Sequence, residues 1–332
     1  MSLQFPKRSW SQVLAFAASF AVSCTAVQAQ DASTYPSKPI RMVMSQPPGN
    51  APDILARILS DHVSKSLGQP VIIDYKPSAG GVIALDAAAK AAPDGYTVVF
   101  AAPSMLTVAP YIKKKLPYDT FTDFMALTMV GQSANVLVVG PSLKVDTMAQ
   151  LVQHIKSNPG KVQYGSAGIG SPAHLAGELL NALTGAQMLH IPYKGAPQAL
   201  NDVVAGTVDL MITSPASAKA FISGGRLKAL ASTGQRPDPA LPDVPLLSDT
   251  VPQYEITQWW GIVLRAGTPE PIVRKLHAAF VAALKDPRVQ SQFQLQGVVP
   301  RMTTPAEFEA FLKLERVRHQ DLIKRANIPM ED

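Results

Sequence analysis

From residue 38 onward, short β-branched or apolar runs alternate with longer stretches in which apolar residues recur every three or four positions. This is the rhythm of strands each followed by a helix, and hence of βαβ units and a largely parallel sheet. Residues 40–44 read as a strand, and 53–67 as a helix with Ile54, Leu55, Ile58, Leu59, Val63 and Leu67 on one face and Gly68 as its C-terminal stop. Residues 71–74 read as the next strand. The alanine-rich stretch 79–91 reads as a helix, and 97–101 as a third strand after the turn Pro93-Asp94-Gly95.

The cycle then repeats. Strands are expected at 135–139, 162–166, 188–192, 208–213 and 227–232, with helices at 147–157, 171–183, 196–205 and 216–222 between them. Residues 237–252, rich in proline and polar side chains, read as a long loop. The chain closes with a strand at 260–264 and helices at 270–284 and 305–326. The fold class is α/β in two lobes: residues 30–134 with 256–332 form the first, and 135–255 the second. Extended segments near 127–139 and 256–264 cross between them as a hinge. Such a pair of lobes opens a cleft at strand C-terminal ends, where open α/β sheets hold ligands.

Composition narrows the picture. Of 332 residues 47% are hydrophobic and 16% charged, so the chain can bury a core. The formal charge of +6 comes from basic residues scattered singly, without the basic run or zinc or aromatic module of a nucleic-acid binder. Residues 1–29 read as an export signal, with Lys7 and Arg8 as the only charges, an apolar run over 13–22 and Val27-Gln28-Ala29 at the cleavage site. Cleavage there removes two positive charges and leaves 28 basic against 24 acidic residues, or +4. It also removes Cys24, the only cysteine, so neither a disulfide nor a cysteine metal site is open to the mature chain. A competing reading makes Cys24 a lipidated first residue after Ala21-Val22-Ser23.

Catalytic motifs are missing: the sequence has no GxSxG, no P-loop, no GxGxxG after a first strand and no HExxH. Gly168-Ile169-Gly170 lacks the third glycine of a dinucleotide loop. His174 and His190 stand sixteen residues apart with no third metal ligand, and read as packing or hydrogen-bonding residues. No cofactor and no metal is expected. What remains is a set of Gly- and Ser-rich loops, each after a strand and before a helix: 45–50, 78–81 and 166–171. The free N–H groups and positive dipole end at a helix start favour an anion such as a carboxylate, and glycine lets a ligand approach the backbone.

These loops lie within a longer ordered string. It runs Tyr35-Pro36-Ser37-Lys38-Pro39-Ile40-Arg41, Pro47-Pro48-Gly49 with Asp53-Ile54-Leu55-Ala56-Arg57, Ala79-Gly80-Gly81, Ala91-Ala92-Pro93-Asp94-Gly95-Tyr96-Thr97 and Lys115-Leu116-Pro117-Tyr118-Asp119. Asn158-Pro159-Gly160-Lys161, His174-Leu175-Ala176-Gly177-Glu178, Ile191-Pro192-Tyr193-Lys194-Gly195 and Leu241-Pro242-Asp243-Val244-Pro245 follow. The string resembles the Bug family, the extracytoplasmic substrate-binding proteins of tripartite tricarboxylate transporters, over about residues 35–328. The resemblance implies a type II periplasmic-binding-protein (Venus-flytrap) fold with a mixed sheet in each lobe. It further implies residence in the periplasm, closure on a small organic carboxylate and delivery to membrane permease subunits.

Carried over by resemblance, the ligand-binding candidates in the first lobe are Gln46, Pro48, Gly49, Asn50, Ala79 and Ser104. In the second they are Ser166, Ala167, Gly168, Ser171, His174, Tyr193, Lys194, Gly195, Thr213 and Ser214, with Trp260 (beside Trp259) near the returning hinge strand. Lys194 is the one that could supply a full positive charge, and the tryptophans could cap an apolar or aromatic ligand body. Three departures bear on specificity. Gln46 stands where the family often carries an aromatic, and Asn50 replaces the second glycine of Pro-Pro-Gly-Gly. Leu210-Met211-Ile212-Thr213-Ser214 lacks an aspartate that would suit an ammonium group. The expected ligand is therefore a non-amino mono- or dicarboxylate, aliphatic or aromatic, bound by a monomer without catalysis. A periplasmic sensor presenting its closed form to a membrane receptor would use the same cleft. A hydrolase would need a nucleophile such as Ser166.

Overall fold

The structure is a computed structural model that describes residue 2, residues 34–238 and residues 241–330. The export segment, Cys24 and the cleavage site therefore lie, apart from Ser2, outside the described residues. Of the two compact units, Met1–Tyr35 is described only at Ser2, Thr34 and Tyr35; the account that follows concerns the second, Pro36–Asp332.

Two mixed sheets organise this unit. The first contains β1 (Ile40–Met44), β2 (Val71–Tyr75), β3 (Thr97–Ala101), β4 (Phe124–Ser133), β10 (Gln258–Arg265) and β11 (Val299–Pro300), in the order β11-β4-β10-β3-β1-β2. Strands β1, β2 and β3 run parallel, and β10 runs antiparallel to both β3 and β4. The second contains β5 (Val136–Val139), β6 (Gln163–Ser166), β7 (Leu189–Pro192), β8 (Leu210–Thr213) and β9 (Lys228–Ser232), in the order β7-β6-β8-β5-β9. Here β6 is parallel to β7 and β8, while β5 opposes β8 and β9.

The chain passes between the sheets twice, at 134–135 and along 233–257. The crossings are tied to each other. β4 and β10 pair from Ser133↔Gln258 to Phe124↔Arg265. Just beyond, Thr233 N–H donates to the Asn135 carbonyl at 2.8 Å and Asn135 N–H to Thr233 Oγ1 at 2.9 Å. The hinge is thus a hydrogen-bonded double strand rather than two independent linkers.

The helices follow the apolar periodicity. On one face of the first sheet, α2 (Val82–Ala89) and the long C-terminal α10 (Pro305–Arg325) cover Val43, Val99 and Val263. Trp259 is fully buried there, its ring edge-on to Phe308 (centroids 5.8 Å) and Phe311 (5.7 Å) and its Nε1–H donating to Glu315. It is a core residue, not a cap on the cleft. On the other face lies α1 (Ala51–Leu67), with Ser60 against Met42 and α8 (Glu270–Lys285) alongside. In the second lobe, α4 (Met148–Ser157) and α5 (Pro172–Thr184) pack with Tyr164 on one side of the sheet. α6 (Ala196–Ala205) and α7 (Pro215–Ser223) pack on the other.

One expectation changes, and elements appear that the pattern did not mark. The helix expected over 79–91 is broken into a 3-10 turn at Ala79–Gly81 and α2, because Gly80 and Gly81 take left-handed conformations, φ 64° and 70°. An unanticipated helix, α9 (Pro287–Leu295), follows an Asp286 cap. Its polar sequence buries only Val289 and Phe293, too few apolar positions to announce it. Between β3 and β4, a π-turn at Ser104–Val108 and a short α3 (Ala109–Ile112) were likewise unmarked.

Truncating the Trp259 partner should show where stability resides. Phe308→Ala is expected to lower unfolding free energy by about 3–5 kcal/mol, the range for a buried phenylalanine that leaves a cavity, read from urea melts followed by tryptophan fluorescence. A loss below about 1 kcal/mol would place the core of this lobe elsewhere.

Candidate ligand-binding site

The expected site residues lie at or just after the C-terminal ends of parallel strands, except Trp260, which sits within the antiparallel β10, and His174, in the first turn of α5. In the first lobe three loops leave β1, β2 and β3, and one side chain joins them. Met105, fully buried in the π-turn, receives the Ser45 hydroxyl on its sulfur at 3.3 Å. A Cβ on Gly81 would lie 2.4 Å from its Cγ, so only glycine lets the 78–81 turn settle against it. Ala79 opens this turn.

Beneath the Pro47-Pro48-Gly49 loop sits a network that sequence reasoning did not assign. Asp53, only 3% exposed, accepts from Gly49 N–H (2.8 Å), the Tyr75 hydroxyl (2.5 Å) and Arg57 Nε (3.0 Å), and Arg57 also reaches the Tyr75 hydroxyl. Burial alone would push this carboxyl up, but the bonds from Tyr75, Gly49 and Arg57 outweigh it and hold the group below its ordinary value. Asn50 caps α1, its Oδ1 accepting from Asp53 N–H at 3.0 Å. The Gly49 N–H and the Asn50 carbonyl oxygen of the amide side chain are thus committed internally. The Asn50 and Ala51 N–H groups, ahead of the first intrahelical bond, remain without a protein acceptor among the described residues. The i,i+4 spacing of Asp53 and Arg57 was the available signal for this network.

The second-lobe loop is held in the same way. The Ser166 carbonyl accepts from Tyr193 N–H (3.0 Å), and the Ser166 hydroxyl lies 3.0 Å from Gly168 N and 2.6 Å from His190 Nε2. Gly170 N–H donates to His174 Nδ1 at 3.1 Å, and Ser171 caps α5 by accepting from His174 N–H. The rings of His174 and His190 stack at 4.0 Å between centroids, with Tyr164 over the far side of His190 at 5.0 Å. Burial, and for His174 also the neighbouring His190, pushes both imidazoles down to about 4, so they are neutral at ordinary pH. Tyr164 donates to Glu178 at 2.5 Å.

The side chains of Ser166 and His174 are buried and engaged, Ser166 with His190 and Gly168 and His174 with Gly170, so they shape the loop from behind. The parts of the loop left to a ligand are backbone, chiefly the Ala167 and Ile169 N–H groups, which have no protein acceptor among the described residues. Ser166 and His190 have nucleophile-and-base spacing. Ser166 has no exposed surface, however, and no carboxylate is bonded to His190 among the described residues, so the pair lacks the access and the orienting group that acyl transfer needs.

The remaining candidates disperse. Tyr193 donates its hydroxyl to Asp202 at 2.6 Å and, through burial and that carboxylate, is pushed up to about 12. Gly195 precedes α6, and Lys194 between them is exposed and without an ion pair among the described residues. Thr213 is buried at the end of β8, and Ser214 caps α7. Gln46 Oε1 and Trp260 Nε1 are buried polar atoms without a hydrogen-bond partner among the described residues. The two lobes meet where Ser104 and Val108 face Gly170, Pro172 and Leu175 around a cavity of about 10 Å³, roughly one water, with Gln258 and His319 at the hinge side. A Cβ on Gly170 would come within 2.5 Å of the Ile112 side chain. A larger concavity of about 300 Å³ lies over Pro39–Arg41 and Ile72–Asp74, at the sheet edge and away from every one of these loops.

Comparison with known proteins gives the family. The family described as the tripartite tricarboxylate transporter family receptor matches residues 55–328. The chain belongs to this receptor family. The tripartite tricarboxylate transporter receptors are binding proteins, not enzymes, which accords with a buried Ser166. Protein BugT of Bordetella pertussis is 34% identical over 302 residues, spanning 90% of this chain and 93% of its own. Among solved structures, a periplasmic transporter is similar with TM-score 0.77 and 38% identity over 90% of this chain and all of its own. The R. palustris protein Rpa4515, solved with adipate, is similar with TM-score 0.79 and 28% identity over the same shares. As a receptor of this family the chain has the two-lobed periplasmic-binding-protein fold, and among the described residues no helix is long and apolar enough to cross a membrane.

The carboxylate under the Pro-Pro-Gly loop gives a direct test of how this end is held. Asp53→Asn should cost about 1.5–3 kcal/mol, the range for a charged hydrogen-bonded group, at pH 7. The folded carboxyl lies below its unfolded value, so its contribution is present above the ordinary value near 3.8 and fades as pH falls through the folded one. Wild type and variant should therefore converge in strong acid. A gap in urea-melt stability that stays constant down to pH 2 would show that the charge is not what holds the loop.

Proposed function

We propose that this receptor captures a non-amino mono- or dicarboxylate between its two lobes in the periplasm and delivers it to the permease subunits of a tripartite tricarboxylate transporter. The observation that carries the reading is the set of uncommitted N–H groups at Asn50, Ala51, Ala167 and Ile169 on loops from both lobes. Backbone donors at helix starts stabilise an anion without a buried counter-charge. Adipate bound to the similar Rpa4515 protein supports a dicarboxylate. An ammonium group would need a free carboxylate nearby. Asp53, Glu178 and Asp202, the acidic residues behind these loops, are already engaged by Arg57 and Tyr75, by Tyr164 and by Tyr193. Lys194 stands exposed at the second-lobe rim as a charge for attracting anions. Export by cleavage near Ala29 and action as a monomer complete the reading.

A thermal-shift screen of protein beginning at Gln30, native and refolded, decides it. Aliphatic dicarboxylates including adipate, aromatic carboxylates, tricarboxylates and amino acids form the panel. A ligand at a hundredfold excess over its Kd should stabilise by about 2.7 kcal/mol, visible as a shift of several degrees confined to one carboxylate class. Tight binding of aspartate or glutamate with no response to carboxylates lacking an amine would overturn the ligand class. No shift with any carboxylate would overturn the carboxylate reading and favour a ligand outside the anionic classes or sensing through a partner.

A further inference from the structure

Behind the second-lobe loop lies a layer of side chains that touches no ligand in the reading above and yet holds the loop's backbone donors in place. Two imidazoles dominate it. His174 projects from the first turn of α5 and is 5% exposed, and its Nδ1 accepts the Gly170 N–H at 3.1 Å. An accepting Nδ1 must be bare, which puts the ring proton on Nε2. His190, on β7, presents Nε2 to the Ser166 hydroxyl at 2.6 Å, and that same oxygen lies 3.0 Å from Gly168 N. The two bonds grip the loop at both ends, Ser166–Gly168 and Gly170, and the Ala167 and Ile169 N–H groups lie between or beside the gripped positions.

We propose that His174 and His190 are positioning residues for ligand binding: each fixes one end of the Ser166–Ser171 loop through one specific ring nitrogen, Nδ1 for His174 and Nε2 for His190. The proposal rests on the ligand reading above only for its effect on affinity; the hold of the two imidazoles on the loop is read from their own bonds, which add to the Tyr193–Ser166 and Ser171–Gly168 backbone bonds. Stacking at 4.0 Å gives the rings a shared, rigid seat and sets each against gaining a charge beside the other. The groups facing them are few. Tyr164 from β6 stacks on His190 and is bonded to Glu178 of α5. Tyr254, from the segment before β10, is fully buried and donates to the Ala176 carbonyl, and His319 of α10, buried and neutral, borders the same cavity as Gly170. With Glu178 engaged by Tyr164, no carboxylate is bonded to either imidazole among the described residues. A proton on His174 Nδ1 would remove the acceptor of Gly170. A proton on His190 would leave a donor to Ser166, so acid acts on the Gly170 end.

Asparagine and glutamine distinguish this from simple packing, because asparagine places its amide oxygen where Nδ1 of a histidine lies and glutamine reaches the position of Nε2. Four variants in the full mature chain form the test: His174→Asn, His174→Gln, His190→Asn and His190→Gln. Without ligand, amide exchange at Gly168 and Gly170 and ¹⁵N imidazole spectra are recorded. With adipate as the probe, affinity is measured by calorimetry at pH 7.5. The expected pattern is mirrored. His174→Asn and His190→Gln keep wild-type protection at their glycine, and His174→Gln and His190→Asn lose it and bind adipate about tenfold more weakly, the effect of one lost hydrogen bond. The His174 ring should show a bare Nδ1.

Equal behaviour of the two variants at each position, or a proton on Nδ1 of His174, would overturn the proposal. If the glutamine variant of His174 does not fold, the imidazole spectrum of the wild type and the exchange of His174→Asn still decide it. If wild-type protein ignores adipate while the mirrored exchange pattern holds, the loop-bracing role stands, adipate is excluded as the ligand, and the affinity arm is repeated with the carboxylate found in the thermal-shift screen.

Discussion

The antiparallel ladder between β4 and β10 is the constraint on which the rest of the structure depends. Both passages between the lobes leave from its end at Ser133 and Gln258, so each lobe inherits its orientation from one paired element in the middle of the first sheet. The Asn135–Thr233 bonds extend that pairing to the edge of the second sheet. A double strand twists or bends as a unit but resists splaying, because splaying would strip backbone groups of their partners. The lobes can therefore change their mutual angle without losing register. A further apolar contact, in which Val108 and Ile112 meet Leu175 of α5 and Leu322 and Ile323 of α10, ties them beside the hinge.

On this frame the site is built mainly of backbone. Parallel strands end in loops that feed helix starts, and the side chains in those loops are largely turned to internal tasks. Asp53 holds Gly49, Asn50 caps α1, Ser166 and His174 brace the second loop, and Ser214 caps α7. In the function proposed above, a ligand meets the N–H groups that these bonds do not use, and a negative charge is recognised through preset dipoles rather than through a salt bridge. The electrostatic work is done at folding, when a carboxylate and two neutral imidazoles are buried with their partners.

The rhythm of apolar runs located nearly every strand within a residue or two, because half-buried strands and one-sided helices must each show their own period. The C-terminal stop at Gly68 was legible too, whereas the N-caps Asn50, Thr147, Ser171 and Thr304 emerge with the structure. The helix α9 was not legible, since two apolar residues suffice to dock a helix on an existing surface. The break at Gly80 and Gly81 was written as a glycine pair, but its reason, the thickness of Met105 beneath it, belongs to a residue more than twenty positions away.

The candidate site divides in the same manner. The sequence by itself determined the α/β class and the family, because each depends on short-range pattern or on an ordered string of motifs. Only the tertiary structure decided which groups in those loops remain free. Trp259 went into the core against Phe308, Ser166 and His174 turned inward, and Asp53, Arg57 and Tyr75 closed a network across twenty-two residues. Whether a polar atom is offered to a ligand or consumed by a neighbour depends on distances of a few tenths of an ångström between elements distant in the chain, and no local pattern encodes such distances.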